Sequence, residues 1–308
     1  VDSKGVPKEG VAGLNKLLNI NKVKVIIGAV SSSVTFSLIP IINQKKVILF
    51  SPASSSPKLS GCSPYFFRNW PSDVLEASAL ATYIRMHLPK VRRIVVLYVN
   101  NDYGIGLYKE FKKVFEKKGG IIIGVEGYPL GCSNFRNLVI KYLRKTDGFY
   151  LAGYHKEMAF ATKQIRELGF RGYIFGDADY GIPELLTIAG KAAEGAIYAT
   201  PILSLNEKTP KMRKIIKKFV QIYGYKPSLF EANGYDALVL LVNAIIKVGY
   251  FPEKIASFLK NIHSFEGMGG FISFLPTGDV VKPIAIMKVE NGHFVQLEII
   301  KKLDLKIK

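Results

Sequence analysis

The sequence predicts an α/β protein with mainly parallel sheets and helices on both sheet faces. Three observations carry this. Short β-branched runs recur along the chain. They alternate with amphipathic stretches. The runs are continuously apolar, the pattern of strands covered on both faces. VKVIIGAV (23–30) and KVILFSPA (46–53) read as buried strands, followed by RRIVVLYV (92–99), GGIIIGVEGY (119–128), DGFYLAG (147–153), RGYIFGD (171–177) and GAIYAT (195–200). Helical periodicity covers 75–88, 106–118, 134–145, 156–168, 210–223 and 232–248. The end differs. FISFLPTGDVVKPIAIMKVENGHFVQLEII has turn signals at Pro276-Thr277-Gly278 and Asn291-Gly292, predicting an antiparallel, hairpin-rich close.

The 308 residues suffice for two domains, and 48% hydrophobic content supports a full core. No apolar run approaches the ~20 residues of a membrane span. VDSKGVPKEGV at the start has no signal-peptide pattern, so a secreted origin requires a signal outside this sequence. Net charge is +19. One reading is a nucleic-acid or anionic-membrane partner, and the other a solvated basic surface. The second is preferred. The lysines fall in scattered pairs such as Lys112-Lys113 and Lys217-Lys218, with no aromatic interleaving and no zinc, helix-turn-helix or RNP pattern. Lys-rich composition with little Gln and Cys also fits a thermophile. Cys62 and Cys132 sit in no metal-ligand spacing; two free thiols is the preferred reading, and a disulfide between them the alternative.

In open α/β sheets, ligands bind outside the carboxyl ends of strands. Five predicted strands end in Ser31-Ser32-Ser33, Ser51-Pro52-Ala53-Ser54-Ser55-Ser56, Asn100-Asn101-Asp102-Tyr103-Gly104, Tyr154-His155 and Gly176-Asp177-Ala178-Asp179-Tyr180. Lys and Arg are absent from these ends of a strongly basic chain, which favours a small polar ligand over a phosphate or polyanion. The serine clusters offer hydroxyls and helix N-termini for a carboxylate or amide, or serve as ordinary N-caps. Asp177 and Asp179 suit a ligand ammonium, or are solvated loop acids. Tyr103 and Tyr154 wall a pocket, or lie at its rim.

Enzyme signatures are weak. Gly104-Ile105-Gly106 after a strand, with Glu126 further on, imitates a dinucleotide fingerprint, but Lys109 holds the third glycine position. There is no G-x-S-x-G elbow, no phosphate loop, and no cue tying His155 to a nucleophile. No cofactor is expected.

The order of motifs resembles the type I periplasmic binding proteins of the leucine/isoleucine/valine class, the solute-binding subunits of branched-chain amino acid ABC transporters. The resemblance runs from about residue 2 to about 295. It rests on DSKGVPKEGV, VIIGAVSSSVTFSLIPI, FSPASSSPKL, SPYFFRNWPSD, NNDYGIGLYKEF, GFYLAGYHKEMAF, KAAEGAIYATP, GYKPSLFEANGYDALVLLVNAI and GGFISFLPTGDV. It implies two Rossmann-like lobes joined by three hinge crossings, near 71–73, 201–203 and 282–284. Lobe 1 would hold 1–72 plus 203–283, and lobe 2 would hold 73–202 plus 284–308. By motif match, Ser32, Ala53, Ser54 and Ser55 hold the ligand's carboxylate, while Tyr103 and Tyr154 contact the ligand from the second lobe. Register places Ala178 where the family's amino-acid binders carry their ammonium-binding acid, with Asp177 and Asp179 on either side. Family members begin with a further strand, Gly-Pro-rich loop and helix, so the first βα unit is missing here, and a compromised first lobe or a nonstandard assembly is expected.

The function implied is a periplasmic or extracellular solute-binding protein, not an enzyme. It would capture an amino acid or related carboxylate or amide by hinge closure. Its partners would be the ligand and an ABC transporter permease, with no nucleic acid and no membrane except through the transporter or a lipid anchor. A ligand-sensing receptor domain of the same fold is the alternative, and a Rossmann-type enzyme the alternative of another class.

Overall fold

The computed structural model describes residues 1–203, 205 and 209–300. The chain forms two compact units, Val1–Ser72 with Ile202–Lys282, and Asp73–Pro201 with the chain from Pro283 onward.

The first unit contains α1 (Pro7–Asn19), β1 (Val25–Ile27), α2 (Ser32–Lys45), β2 (Ile48–Ser51) and β3 (Phe66–Arg68). To these it adds α8 (Pro210–Tyr223), α9 (Leu229–Val248), α10 (Pro252–Lys260) and the hairpin β9 (Phe265–Gly267)–β10 (Gly270–Ile272). Its parallel sheet runs β1-β2-β3. Alternate residues of the central strand face opposite sides. Leu49 packs with Leu14, Val34, Leu38 and Ile42 of α1 and α2. Ile48 and Phe50 pack with Leu240 and Leu241 of α9 and Leu259 of α10. α9 is long and apolar enough to cross a membrane. It is a core helix here, opened by a Ser228/Glu231 capping box, with Ala237, Leu240 and Ala244 turned into the core.

The reading of 23–30 as a buried strand is corrected. Only Val25–Ile27 is strand, and Ile27 is 41% exposed. β1 pairs with β2 alone, so among the described residues it is a sheet edge with one uncovered side. The other edge is closed by the 275–280 turn, where Arg68 N–H donates to the Gly278 carbonyl at 3.1 Å.

The second unit contains α3 (Asp73–His87), β4 (Arg93–Val99), α4 (Asp102–Lys117), β5 (Ile121–Tyr128), α5 (Arg136–Val139), β6 (Gly148–Ala152), α6 (His155–Glu167), β7 (Tyr173–Gly176), α7 (Pro183–Ala189), β8 (Ile197–Pro201), β11 (Ile284–Glu290) and β12 (His293–Ile300). Its sheet runs β12-β11-β8-β7-β6-β4-β5. The five strands from β8 to β5 are parallel. β11 and β12 add an antiparallel edge through an Asn291-Gly292 turn with both φ positive, as the sequence predicts. The core holds Val95, Leu97, Phe111, Phe149, Tyr150 and Phe175, all fully buried.

The predicted helix over 134–145 is short. α5 ends at Val139 and a single 3-10 turn follows, because the chain must turn at Thr146 to enter β6. There the Thr146 hydroxyl donates to the carbonyls of Arg93 and Gly148.

Candidate functional site

The first unit's candidate site is the loop after β2 and the turn into α2. A buried serine with two N–H groups aimed at it defines the geometry. Ser32 Oγ accepts from the backbone N–H of Ser55 and Ser56, each at 3.2 Å. The hydroxyl proton of Ser32 stays available, so the cluster can still donate to an anion. Ser31, the N-cap of α2, makes no side-chain capping bond, so this serine run is not spent on capping through it. Ser54 and Ser55 are buried, and Ala53 is half-buried. The Ser54 hydroxyl is committed inward, to Thr35 Oγ1 at 2.7 Å and to the carbonyls of Ala29 and Val30 at 2.9 and 3.0 Å. Ser51 Oγ donates to the Ala29 carbonyl at 2.6 Å and accepts from Ser54 N–H at 2.9 Å. Ser56 Oγ is buried with no partner among the described residues. Ser54→Ala should cost about 1–3 kcal/mol, because Thr35 Oγ1 and two carbonyls lose a buried partner. Urea denaturation of the variant checks this.

Two buried side chains hold the loop from behind, and the sequence reading named neither. Arg68, fully buried, donates to the carbonyls of Ser54 and Ser56 at 3.2 and 3.0 Å, to Ser60 Oγ at 2.9 Å and to Asp279 Oδ1 at 2.6 Å. Asn233 Nδ2 on α9 donates to the Pro52 carbonyl at 3.1 Å. A carbonyl pulled to one side of a trans peptide sends the following N–H to the other. Arg68 thus fixes the direction of the Ser55 N–H.

The second unit's candidate site lies at the carboxyl ends of β4, β6 and β7. Asn101 caps α4 by accepting from the N–H groups of Tyr103 and Gly104, both at 3.1 Å, and its Nδ2 donates to the Tyr154 hydroxyl at 3.2 Å. The rings of Tyr103 and Tyr154 stack at 5.5 Å. Gly104 is a close-approach glycine, since a Cβ there would meet the Val99 carbonyl at 2.2 Å. This packing accounts for the glycine that imitated a dinucleotide motif.

The two aspartates separate. Asp177 is fully buried, and its oxygens accept from Gly153 N–H at 2.6 Å and Asp179 N–H at 3.0 Å, so it fastens β6 to the turn after β7. Asp179 is half-buried, and its carboxylate has no hydrogen-bond partner among the described residues. Burial, then the charges of Asp73 and Glu157, raise its pKa to about 7. Glu76 on α3, which sequence reasoning also missed, accepts from Ala178 N–H at 2.8 Å. Burial and Asp73 push its carboxyl well above the usual range. Tyr103 is raised well above its ordinary value, by burial first and then by Asp177, Asp179, Glu76 and Asp73.

Ser32, Ala53, Ser54 and Ser55 are therefore brought together in one unit, and Tyr103, Tyr154, Asp177 and Asp179 stand at neighbouring strand ends in the other. Cys62 and Cys132 are free thiols. Among the described residues no group of His, Cys, Asp or Glu is placed to hold a metal.

The strand ends of the first unit carry hydroxyls and N–H groups, and those of the second carry aromatic faces and an uncommitted carboxylate. The chain belongs to the periplasmic binding protein family, whose model matches residues 1–293. This is a solute-binding family, not an enzyme class. The leucine-, isoleucine-, valine-, threonine- and alanine-binding protein of Pseudomonas aeruginosa is 29% identical over 277 residues, 89% of this chain and 73% of that protein. The leucine-binding protein LivK of Thermotoga maritima superposes with a TM-score of 0.90 at 29% identity, over 99% of this chain and 87% of that one. The substrate-binding protein LivJ of Streptococcus pneumoniae, solved with isoleucine, gives a TM-score of 0.87 at 24% identity over 98% and 86%. These relatives are of the leucine/isoleucine/valine class, whose motifs the sequence carries.

Proposed function

We propose that the chain is the solute-binding component of an ABC transporter, located in the periplasm or outside the cell, and that it captures a small amino acid for a membrane permease. One observation carries this reading beyond family membership. The first unit offers an anion-holding loop without an acid, and the second offers Asp179, a carboxylate with no partner among the described residues. An α-amino acid needs both. Its carboxylate would meet Ser32 Oγ and the small residues Ala53, Ser54 and Ser55, the last two through backbone groups. Its ammonium would meet Asp179, while Asp177 holds the turn that presents Asp179. Tyr103 and Tyr154 would cover the aliphatic body.

A thermal-shift panel tests this with leucine, isoleucine, valine, alanine, amine-free carboxylates, simple amides and urea at millimolar concentration. A ligand present at 100 times its Kd adds about 2.7 kcal/mol. Stabilisation by branched-chain amino acids is the expected result. Stabilisation by carboxylates lacking an amine, and not by amino acids, would move the assignment to an acid-binding protein. Tyr103→Ala should weaken leucine roughly tenfold, by removing a stacked aromatic wall. Calorimetric titration measures the loss.

A further inference from the structure

Two cations stand behind the serine loop, and they differ in how they are neutralised. The Arg68 guanidinium is paired directly with Asp279 at 2.6 Å. Lys282 is not. It is 5% exposed, and its Nζ donates at 2.8 Å to Asn233 Oδ1, a neutral acceptor. Among the described residues no carboxylate lies within ion-pair distance of it. The charged group it feels is Asp236 on α9, whose two oxygens already accept from Met268 and Gly269 N–H at 2.5 and 3.0 Å. Burial lowers the Lys282 ammonium to about 8.

A buried cation without a direct counter-charge is costly unless something restores the balance. The hydrogen bonds show what it is aimed at. Asn233 takes Lys282 on Oδ1, and passes its Nδ2 to the Pro52 carbonyl of the serine loop. The Asn233 carbonyl accepts from Asn69 Nδ2 at 2.9 Å, and Asn69 N–H donates to the Ser51 carbonyl at 3.3 Å. Lys282 is therefore one side chain, Asn233, removed from the Pro52 carbonyl at the start of the loop. Donation from an ammonium polarises the Asn233 amide, which strengthens its bond to Pro52. The field of the charge also crosses a low-dielectric interior, where it is little screened.

We infer that Lys282 is a positioning and charge-selecting residue of the ligand site: acting through Asn233 and Pro52, it sets the serine loop to favour an anionic ligand end, whose charge offsets its own. The inference rests on the amino-acid reading above. It adds that the loop selects carboxylate over its neutral amide, and names the residue that does so without touching ligand.

The test is calorimetric titration of wild type, Lys282→Met and Lys282→Arg with leucine and with leucinamide, after melting curves confirm that each variant is folded. Lys282→Met should weaken leucine about tenfold and leucinamide less than twofold. Lys282→Arg, which keeps the charge, should restore most of the leucine affinity. A residue that only packs would change both ligands alike. Equal losses, or leucine affinity unchanged in Lys282→Met, would overturn the inference and leave the amino-acid reading standing. Wild type that binds neither probe would overturn both.

Discussion

Replacing Arg68 by Met should destabilise the first unit by about 3–5 kcal/mol, the cost of stranding one partner of a buried pair. The loss has two sources. Asp279, buried beside Arg68, keeps among the described residues the Thr277 hydroxyl at 2.9 Å as its side-chain partner. The Ser54 carbonyl loses its donor inside the protein, while the Ser56 carbonyl is left with the Leu59 N–H at 3.1 Å. Adding Asp279→Leu should recover part of the loss, by removing the orphaned charge, and leave the carbonyl part. The chain supplies its own reporter. Its single tryptophan, Trp70, is buried in the first unit and stacked on Phe230 at 4.9 Å. Denaturation followed by tryptophan fluorescence should show the shift. A change below about 1 kcal/mol would mean that Arg68 does not hold the loop.

The second large effect concerns pH. Leucine affinity should rise as pH increases toward and through about 7, where Asp179 ionises. Each pH unit below that point should cost up to about tenfold in affinity, because a neutral carboxyl offers an ammonium no charge. Stability of the ligand-free protein should run the other way. The folded-state pKa lies above the unfolded value of 3.8, so between 3.8 and about 7 the folded chain holds more protons than the unfolded one. Stability then falls as pH rises through that window. Asp179→Asn should abolish both trends. Asp177→Ala should act on stability instead, by about 1–3 kcal/mol, since the Gly153 and Asp179 N–H groups lose their acceptor. Titrations and melts from pH 5 to 8 separate these outcomes. Affinity flat across that range would remove Asp179 from the ammonium site.

The alternation of apolar runs with helical periods carried the architecture because the inner runs, β2, β4, β6 and β7, are strands buried on two faces. That signal faded at the margins. At β1 the apolar run 23–30 outlasts the strand, since apolarity does not reveal whether a neighbouring strand is present. α1, α2, α7 and α10 went unread. In α2 apolar residues surround the helix and Pro40 sits inside it, so no clean polar face marks it. At the site, the strand-end serines, tyrosines and aspartates were legible because polar residues after apolar runs mark carboxyl ends. Their division of labour was not. Asp177 and Asp179 look alike in sequence and differ in burial and in which backbone N–H groups reach them. Arg68, Glu76, Asn233 and Lys282 lay in segments read for pattern, and only burial distinguishes them from surface residues. The Asn101 cap ahead of Asp-Tyr-Gly was the one further signal available, as asparagine before a helical run.

The Arg68–Asp279 pair joins residues 211 positions apart. Between them lies Asp73–Pro201, most of the second unit, whose five parallel strands are joined by successive short crossovers. A chain made from its amino end lays down β1, β2 and β3 first, yet the α9 and α10 face that must cover them is synthesised only after the second unit's parallel strands are complete. The second unit closes through local connections, while the first must wait for a distant segment to pay its loop-closure entropy. During synthesis, therefore, Ile48, Phe50 and Phe67 stay uncovered while the later-begun unit matures. The unit that holds the serine loop is the one most in need of protection on the ribosome.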